Sequence, residues 1–228
     1  MSGGFLLRIC HGKTGRLRFL SHLEMARALE RAVRRADLPF SVSQGFSPHM
    51  RVAFGPALPV GSAGLAEWLD LPMTEFVPPA AALDRLRSVT PPELAPTRLG
   101  YVPAASPSLS ASIATARYSI LVDGGVSAAA LAESLAVTVA AGSLDVTRKG
   151  QVRAFDLAST VWESPQVTTT PAGSVVMLGL RLGSQGSLRP ETLVTAALEY
   201  SGARASALTV TRTALFEERD GVLLDPLD

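Results

Sequence analysis

The chain has 228 residues, long for one small domain and short for three, and at 47% hydrophobic and 18% charged it can bury a real core. Cys10 is the single cysteine, which excludes an internal disulfide and any CxxC-type or CxxxCxxC cluster-binding motif and fits a reducing cytoplasm. The net charge of +1 hides an asymmetry: residues 1–55 carry nine Lys/Arg against three acids, +6, and the rest carries 12 against 17, −5.

All three histidines, His11, His22 and His49, lie in the basic quarter. Such an excess suggests an anionic partner, most simply a nucleic-acid backbone or a phosphorylated ligand. Nineteen of the 21 basic residues are arginine, which suits bidentate phosphate contacts but equally reflects a GC-rich genome. No charged segment with a long apolar run opens the chain, and no stretch approaches about eighteen uninterrupted apolar residues, so neither secretion nor membrane spanning is expected.

Phe5–Cys10 reads as a strand and Leu17–Leu20 as a short extended lead into a helix. Ser21-His22-Leu23-Glu24 has the S-x-x-E form of a capping box, so a helix is expected over 21–36, ended by Asp37-Leu38-Pro39. Leu23, Met25, Ala26, Leu29, Ala32, Val33 and Ala36 form its apolar stripe, and Arg27, Arg31, Arg34 and Arg35 mark another face. That row is either a solvated face weakly paired with Glu24 and Glu30 or part of a binding surface.

Ser43–Arg51, running on to Gly61, packs one histidine, one arginine, three glycines and three prolines into nineteen residues. Glycine permits positive φ and proline fixes φ near −65°, so this segment follows a set path without regular structure. Gln44, Phe46, His49 and Arg51 can hydrogen-bond, stack and bind phosphate there, with Gly45 setting the backbone. The alternative is a turn whose Phe46 and Phe54 fill the core and whose His49 is incidental.

Ala66–Leu71 alternates as a strand, Pro79–Val89 reads as a helix with Leu83, Leu86 and Val89 inward, and Leu94–Val102 as extended chain. Residues 103–112 have linker composition, rich in Pro, Ser and Ala. Strands then follow at Arg117–Val122, Leu144–Arg148, Ser174–Leu182 and Ala207–Phe216, helices at Ser127–Ala140 and Pro190–Tyr200, and irregular chain or a short helix at Val152–Trp162. The fold class is therefore α+β, as two ferredoxin-like α/β sandwich halves, residues 1–102 and 115–228, joined by the linker.

Arg16-Leu-Arg-Phe-Leu-Ser-His-Leu-Glu24, Arg27-Ala-Leu-Glu-Arg-Ala-Val-Arg-Arg-Ala-Asp-Leu-Pro39, the Ser43–Gly61 loop and Glu67-Trp-Leu-Asp-Leu71 together resemble the radical-SAM-linked domain of unknown function. The resemblance is dense over about residues 5–75, and Arg212–Gly221 is similar to the family's ending. That domain occurs fused to radical SAM proteins or as a separate chain. The resemblance implies a radical SAM protein as partner in trans, since no cluster-binding cysteine motif exists here. The Phe-Leu-Ser-His segment, basic helix and Gly-Phe-x-x-His loop are also similar in outline to RAMP-type proteins that bind or cut CRISPR RNA, a fold-level analogy that makes RNA the preferred anion.

Other chemistries find less support. The three histidines lack i,i+4 pairing and an adjacent carboxylate cluster, so no metal is expected; no G-x-S-x-G elbow or P-loop order appears, and no cofactor is expected. Cys10, Trp68 and Trp162, set in apolar runs, read as core.

Three readings remain. The first is a non-catalytic RNA-binding or substrate-presenting partner of a radical SAM enzyme acting on RNA, with Arg18, Arg27, Arg31, Gln44, Gly45, Phe46, His49 and Arg51 as binding residues. The second is an RNA-cleaving or RNA-modifying enzyme with His22 or His49 as general acid/base. The third is a protein-docking module without nucleic-acid affinity. The first is preferred, because neither histidine has a charged orienting partner visible in the sequence.

Overall fold

The computed structural model describes residues 4–148, 150–183 and 186–228; Lys149, one of the two lysines, lies outside them. The fold mixes α and β elements, with antiparallel pairing in every strand pair whose register is resolved. Backbone contacts divide the chain into one unit of residues 1–113 with 215–228 and a second of 114–214. The expected second half, 115–228, differs from this division in its last fourteen residues. A long terminal strand reads alike in sequence whichever neighbours its two ends take.

In the first unit, β1 (Phe5–Lys13) lies between β3 (Ala63–Met73) and β4 (Pro96–Val102), and the two-residue strand β2 (Ala53–Phe54) pairs with β3. The register sets Leu7 opposite Leu71, Arg8 opposite Asp70 and Cys10 opposite Trp68. Because side chains alternate across a strand, odd and even positions of β1 face opposite sides. Leu7 and Ile9 join Leu69, Leu71 and Met73 against helices α1 (His22–Arg35) and α2 (Pro79–Val89), which add Met25, Leu29, Val33, Ala82 and Leu86. At about 1.5–3 kcal/mol per buried large aliphatic side chain, this cluster is the main stabilising element of the unit.

Helix α1 begins at its capping box. Ser21 Oγ accepts from the Glu24 amide at 3.3 Å, and the Glu24 carboxylate accepts from the Ser21 amide at 2.8 Å and from the Ser21 hydroxyl at 2.7 Å. It ends at Asp37, whose φ of 49° is left-handed, followed by Leu38-Pro39, which cannot continue it. Leu23, expected in the apolar stripe, is exposed: at 3.6 residues per turn it lies about 120° around the helix from Leu29, off the buried face. Leu17–Leu20, expected as extended chain, lies largely in a 3-10 helix, Gly15–Phe19. A run of four alternating residues is too short to separate the two forms by periodicity.

The expected linker is structured at its end, where α3 (Leu109–Ser112) buries Leu109 completely. Proline and serine content signalled a break, but one apolar side chain suffices to anchor a turn. In α2, Ala82 and Leu86 are buried, whereas Leu83 and Val89 are half-buried.

The second unit contains β5 (Ile113–Asp123), α4 (Ala128–Ala140), the hairpin β6 (Ser143–Arg148) and β7 (Gln151–Asp156), α5 (Leu157–Thr160), β8 (Val161–Thr170), β9 (Gly173–Arg181), α6 (Pro190–Ser201) and β10 (Ala207–Arg219) as far as Ala214; the last five residues of β10 and β11 (Val222–Leu224) belong to the first unit. Its strand order is β10-β5-β9-β8, so the first strand again sits inside the sheet. Val152–Trp162, expected as irregular or helical, is mostly strand. Its alternating polar residues suit exposed strands, whose pairing comes from neighbours rather than from local propensity.

Candidate nucleic-acid interface

The Ser43–His49 segment is a loop tied at its base. Val42 and Met50 form an antiparallel bridge, the Ser43 amide donates to the His49 carbonyl at 2.8 Å, and the Arg51 amide donates to the Ser41 carbonyl at 2.9 Å. The side chains repeat the tie: the His49 amide donates to Ser43 Oγ at 3.1 Å, and Ser43 Oγ meets His49 Nδ1 at 2.7 Å. With Nδ1 so occupied, Nε2 is the ring nitrogen left to meet a ligand.

Between these ties the chain turns at Gly45, whose φ of 130° favours glycine, and carries Phe46 at its tip. Phe46 is 110% exposed, so it fills no core. Phe54, the other aromatic of this stretch, is half-buried and packs against the main core.

Behind the loop lies an open cleft of about 560 Å³ lined by Ser43, His49, Arg51, Val52, Phe54 and Glu30 of α1. His49 and Arg51 therefore share one cleft. His22 is its neighbour rather than a lining residue, packed edge-to-face on Phe54 with ring centroids 5.1 Å apart at 82°. Gln44, Gly45 and Phe46 belong to the exposed loop beside it.

The arginines divide. Arg27 and Arg31 are exposed on α1, three residues before and one after Glu30, but do not line the cleft. Arg34 stacks over Phe40 at 5.0 Å. Arg18, half-buried in the 3-10 helix, lays its guanidinium over the exposed Phe19 ring at 4.8 Å, and its backbone carbonyl accepts from the Gly61 amide at the far end of the glycine-rich stretch. Ser43, Phe54, Glu30 and Phe19 were not singled out as binding residues. A serine six residues from a histidine has no sequence signature, and only the loop closure brings the pair together.

The other face of the first sheet is polar and buried. Arg8 makes a fork to Asp70 and a contact to Glu217 at 3.1 Å, and donates to the Pro226 carbonyl at 2.8 Å. Burial opposes its charge, but the hydrogen bonds and attraction of Asp70 and Glu217 outweigh this and raise its pKa. Cys10 is buried in β1, and burial pushes its thiol pKa up, as for a structural cysteine rather than a nucleophile. Trp68 is buried as well.

Among the described residues no group of His, Cys, Asp and Glu is arranged to hold a metal, and no helix is long and apolar enough to cross a membrane. A larger cavity of about 700 Å³ lies in the second unit, around Leu198, Arg204 and Ser206. It holds a single cation, and every histidine lies elsewhere in the chain.

The chain belongs to the family described as "Uncharacterized protein conserved in bacteria (DUF2344)", which it matches over residues 7–190. No curated protein matches it. Among solved structures it is similar to a chain of "Crystal Structure of a Cbf5-Nop10-Gar1 Complex", at 11% identity and a TM-score of 0.52, covering 96% of this chain and 51% of that one. The chain thus spans about half the length of that neighbour, and the likeness is one of fold. A second match, "Crystal Structure of an Unknown Protein from Galdieria sulphuraria", covers 95% of this chain and 99% of that one at 14% identity and a TM-score of 0.26.

Proposed function

We propose that this protein binds RNA through its basic N-terminal quarter, residues 1–55, and presents it to a radical SAM enzyme in trans, without catalysing a reaction alone. The observation that carries the RNA half is the tied loop holding Phe46 outward beside a cleft lined by His49 and Arg51. A fully exposed phenylalanine on a pinned loop contributes nothing to the core and is suited to a ligand. The charge of +6 over residues 1–55 supplies attraction for phosphate. The resemblance of the Arg16–Gly61 motifs to radical-SAM-linked domains supports the partner, and the single cysteine leaves cluster chemistry to another chain. We also read both units as ferredoxin-like, because β4-β1-β3-β2 and β10-β5-β9-β8 each place the first strand between the third and fourth of a four-strand set.

Phosphate contacts are assigned to Arg18, Arg27, Arg31 and Arg51. Four neutralised phosphates give a slope of log K against log salt of roughly −3 for single strands, from about 0.7 per contact. Fluorescence titration at several salt concentrations reads this. Each Arg→Ala replacement reduces the slope by about 0.7, and His49→Ala weakens binding at constant slope. Absence of binding to any RNA at low salt, or binding that survives loss of all four arginines, rejects the assignment in favour of a protein-docking module.

One observation favours a second reading. Glu30 and His49 line the same cleft, a carboxylate and an imidazole of the kind that serve general acid/base chemistry. Cleavage or modification of RNA by the purified protein alone, abolished by His49→Ala, selects that reading.

A further inference from the structure

Phe46 is not the only exposed aromatic of the first unit. Phe19 is 58% exposed, and Arg18 covers one face of its ring at 4.8 Å while its own buried Nε makes no hydrogen bond among the described residues. A guanidinium over the ring at this distance makes a cation–π contact that favours one position of the ring. Between the two phenylalanines the chain sets a sequence of contacts: Ser43 bonds His49, His49 and Arg51 line the cleft with Phe54, and Phe54 packs on His22, which stands three residues from Phe19. The chain thus carries two exposed rings with a cation near each in sequence, Phe19 next to Arg18 and Phe46 five residues before Arg51.

Resting on the RNA reading above, we infer that the ligand is an unpaired strand, whose bases stack on Phe46 and Phe19 while its phosphates meet Arg51, Arg18 and the arginines of α1. A paired helix does not use such a surface. Its bases are already stacked on one another, its major groove is too narrow for side chains, and its recognition runs through phosphates and 2′-hydroxyls. Two exposed phenylalanines beside that backbone would only stay wet. A single strand offers a π-face at every base, and an aromatic platform accepts it whatever the sequence.

The test is direct competition between a fluorescein-labelled single-stranded RNA of about 12 nucleotides and its own duplex, within the site sizes common for single-strand grooves. The wild-type chain, Phe46→Ala, Phe19→Ala and Phe46→Trp are compared. The single strand binds more tightly than the duplex, each alanine replacement weakens it by about 5- to 150-fold, and the tryptophan retains affinity. The salt slope stays unchanged in Phe46→Ala, because no phosphate contact is lost. Both phenylalanines are exposed, so circular dichroism of the variants matches that of the parent. Equal or tighter duplex binding, or alanine variants with parental affinity, overturns the unpaired-strand inference while leaving RNA binding standing. No binding of either RNA at low salt instead removes the RNA reading itself.

Discussion

Arg8 and Asp70 face each other across β1 and β3 in a two-pronged pair, Nε to Oδ1 at 2.8 Å and Nη2 to Oδ2 at 2.9 Å, with both side chains almost wholly buried. Removing one partner of such a pair strands a charge in low dielectric, at a cost of about 3–5 kcal/mol. Glu217 and the Pro226 carbonyl still hold Arg8 when Asp70 is lost, so Asp70→Ala is expected near 3 kcal/mol. Urea denaturation of Arg8→Met, Asp70→Ala and the double variant checks this. The double variant should lose less than the sum of the two singles, and strict additivity would show that the pair does not couple.

Gly45 combines a φ of 130° with open space, since a β-carbon placed there meets nothing within 4 Å. Gly45→Val should therefore distort only the exposed loop, which yields locally to relieve the strain, and redirect Phe46 without touching the core. RNA affinity falls while the midpoint of thermal unfolding moves little. Equal losses in both measurements would mean that the loop supports the fold rather than presents groups.

Gly173 is the opposite case. Its φ is 133°, and a β-carbon would stand 2.5 Å from the Val122 carbonyl oxygen. Gly173→Ala should cost about 2 kcal/mol or more, because backbone must move as well as strain. Gly142→Ala, left-handed but unobstructed, should cost about 1 kcal/mol. Equal midpoints for the two variants in denaturant would refute the close approach.

Hydrogen bonds from the Ser21 hydroxyl and amide hold the Glu24 carboxyl below its ordinary pKa. A depressed carboxyl stabilises the fold above its unfolded value of about 4.3 and loses that contribution as pH falls through the folded value. Acid titration of wild type should thus weaken α1 below about pH 4, and Glu24→Ala should remove that part of the pH dependence. An unaltered acid profile in Glu24→Ala would show that the box contributes nothing.

Helix α1 was legible in residues 21–36 because its signals are local: the serine and glutamate of the box are three residues apart, and the buried positions recur at helical spacing. The same holds for α2, whose observed bounds, Pro79–Val89, are those expected, and for the apolar strands around Leu71 and Ile120. The Gly/Pro/His loop was legible too, as a composition that no regular element tolerates. What tertiary structure alone decided lies between residues far apart. Arg8 meets Glu217 across 209 positions, the tail 215–228 clusters with the first unit, and exposed strands such as Gln151–Asp156 take their form from neighbours. Even Ser43 and His49, only six apart, pair because Val42 and Met50 bridge first. Hydrogen bonds within one turn of chain are written in spacing, whereas a pairing closed by a loop depends on which distant backbone edges are left to satisfy.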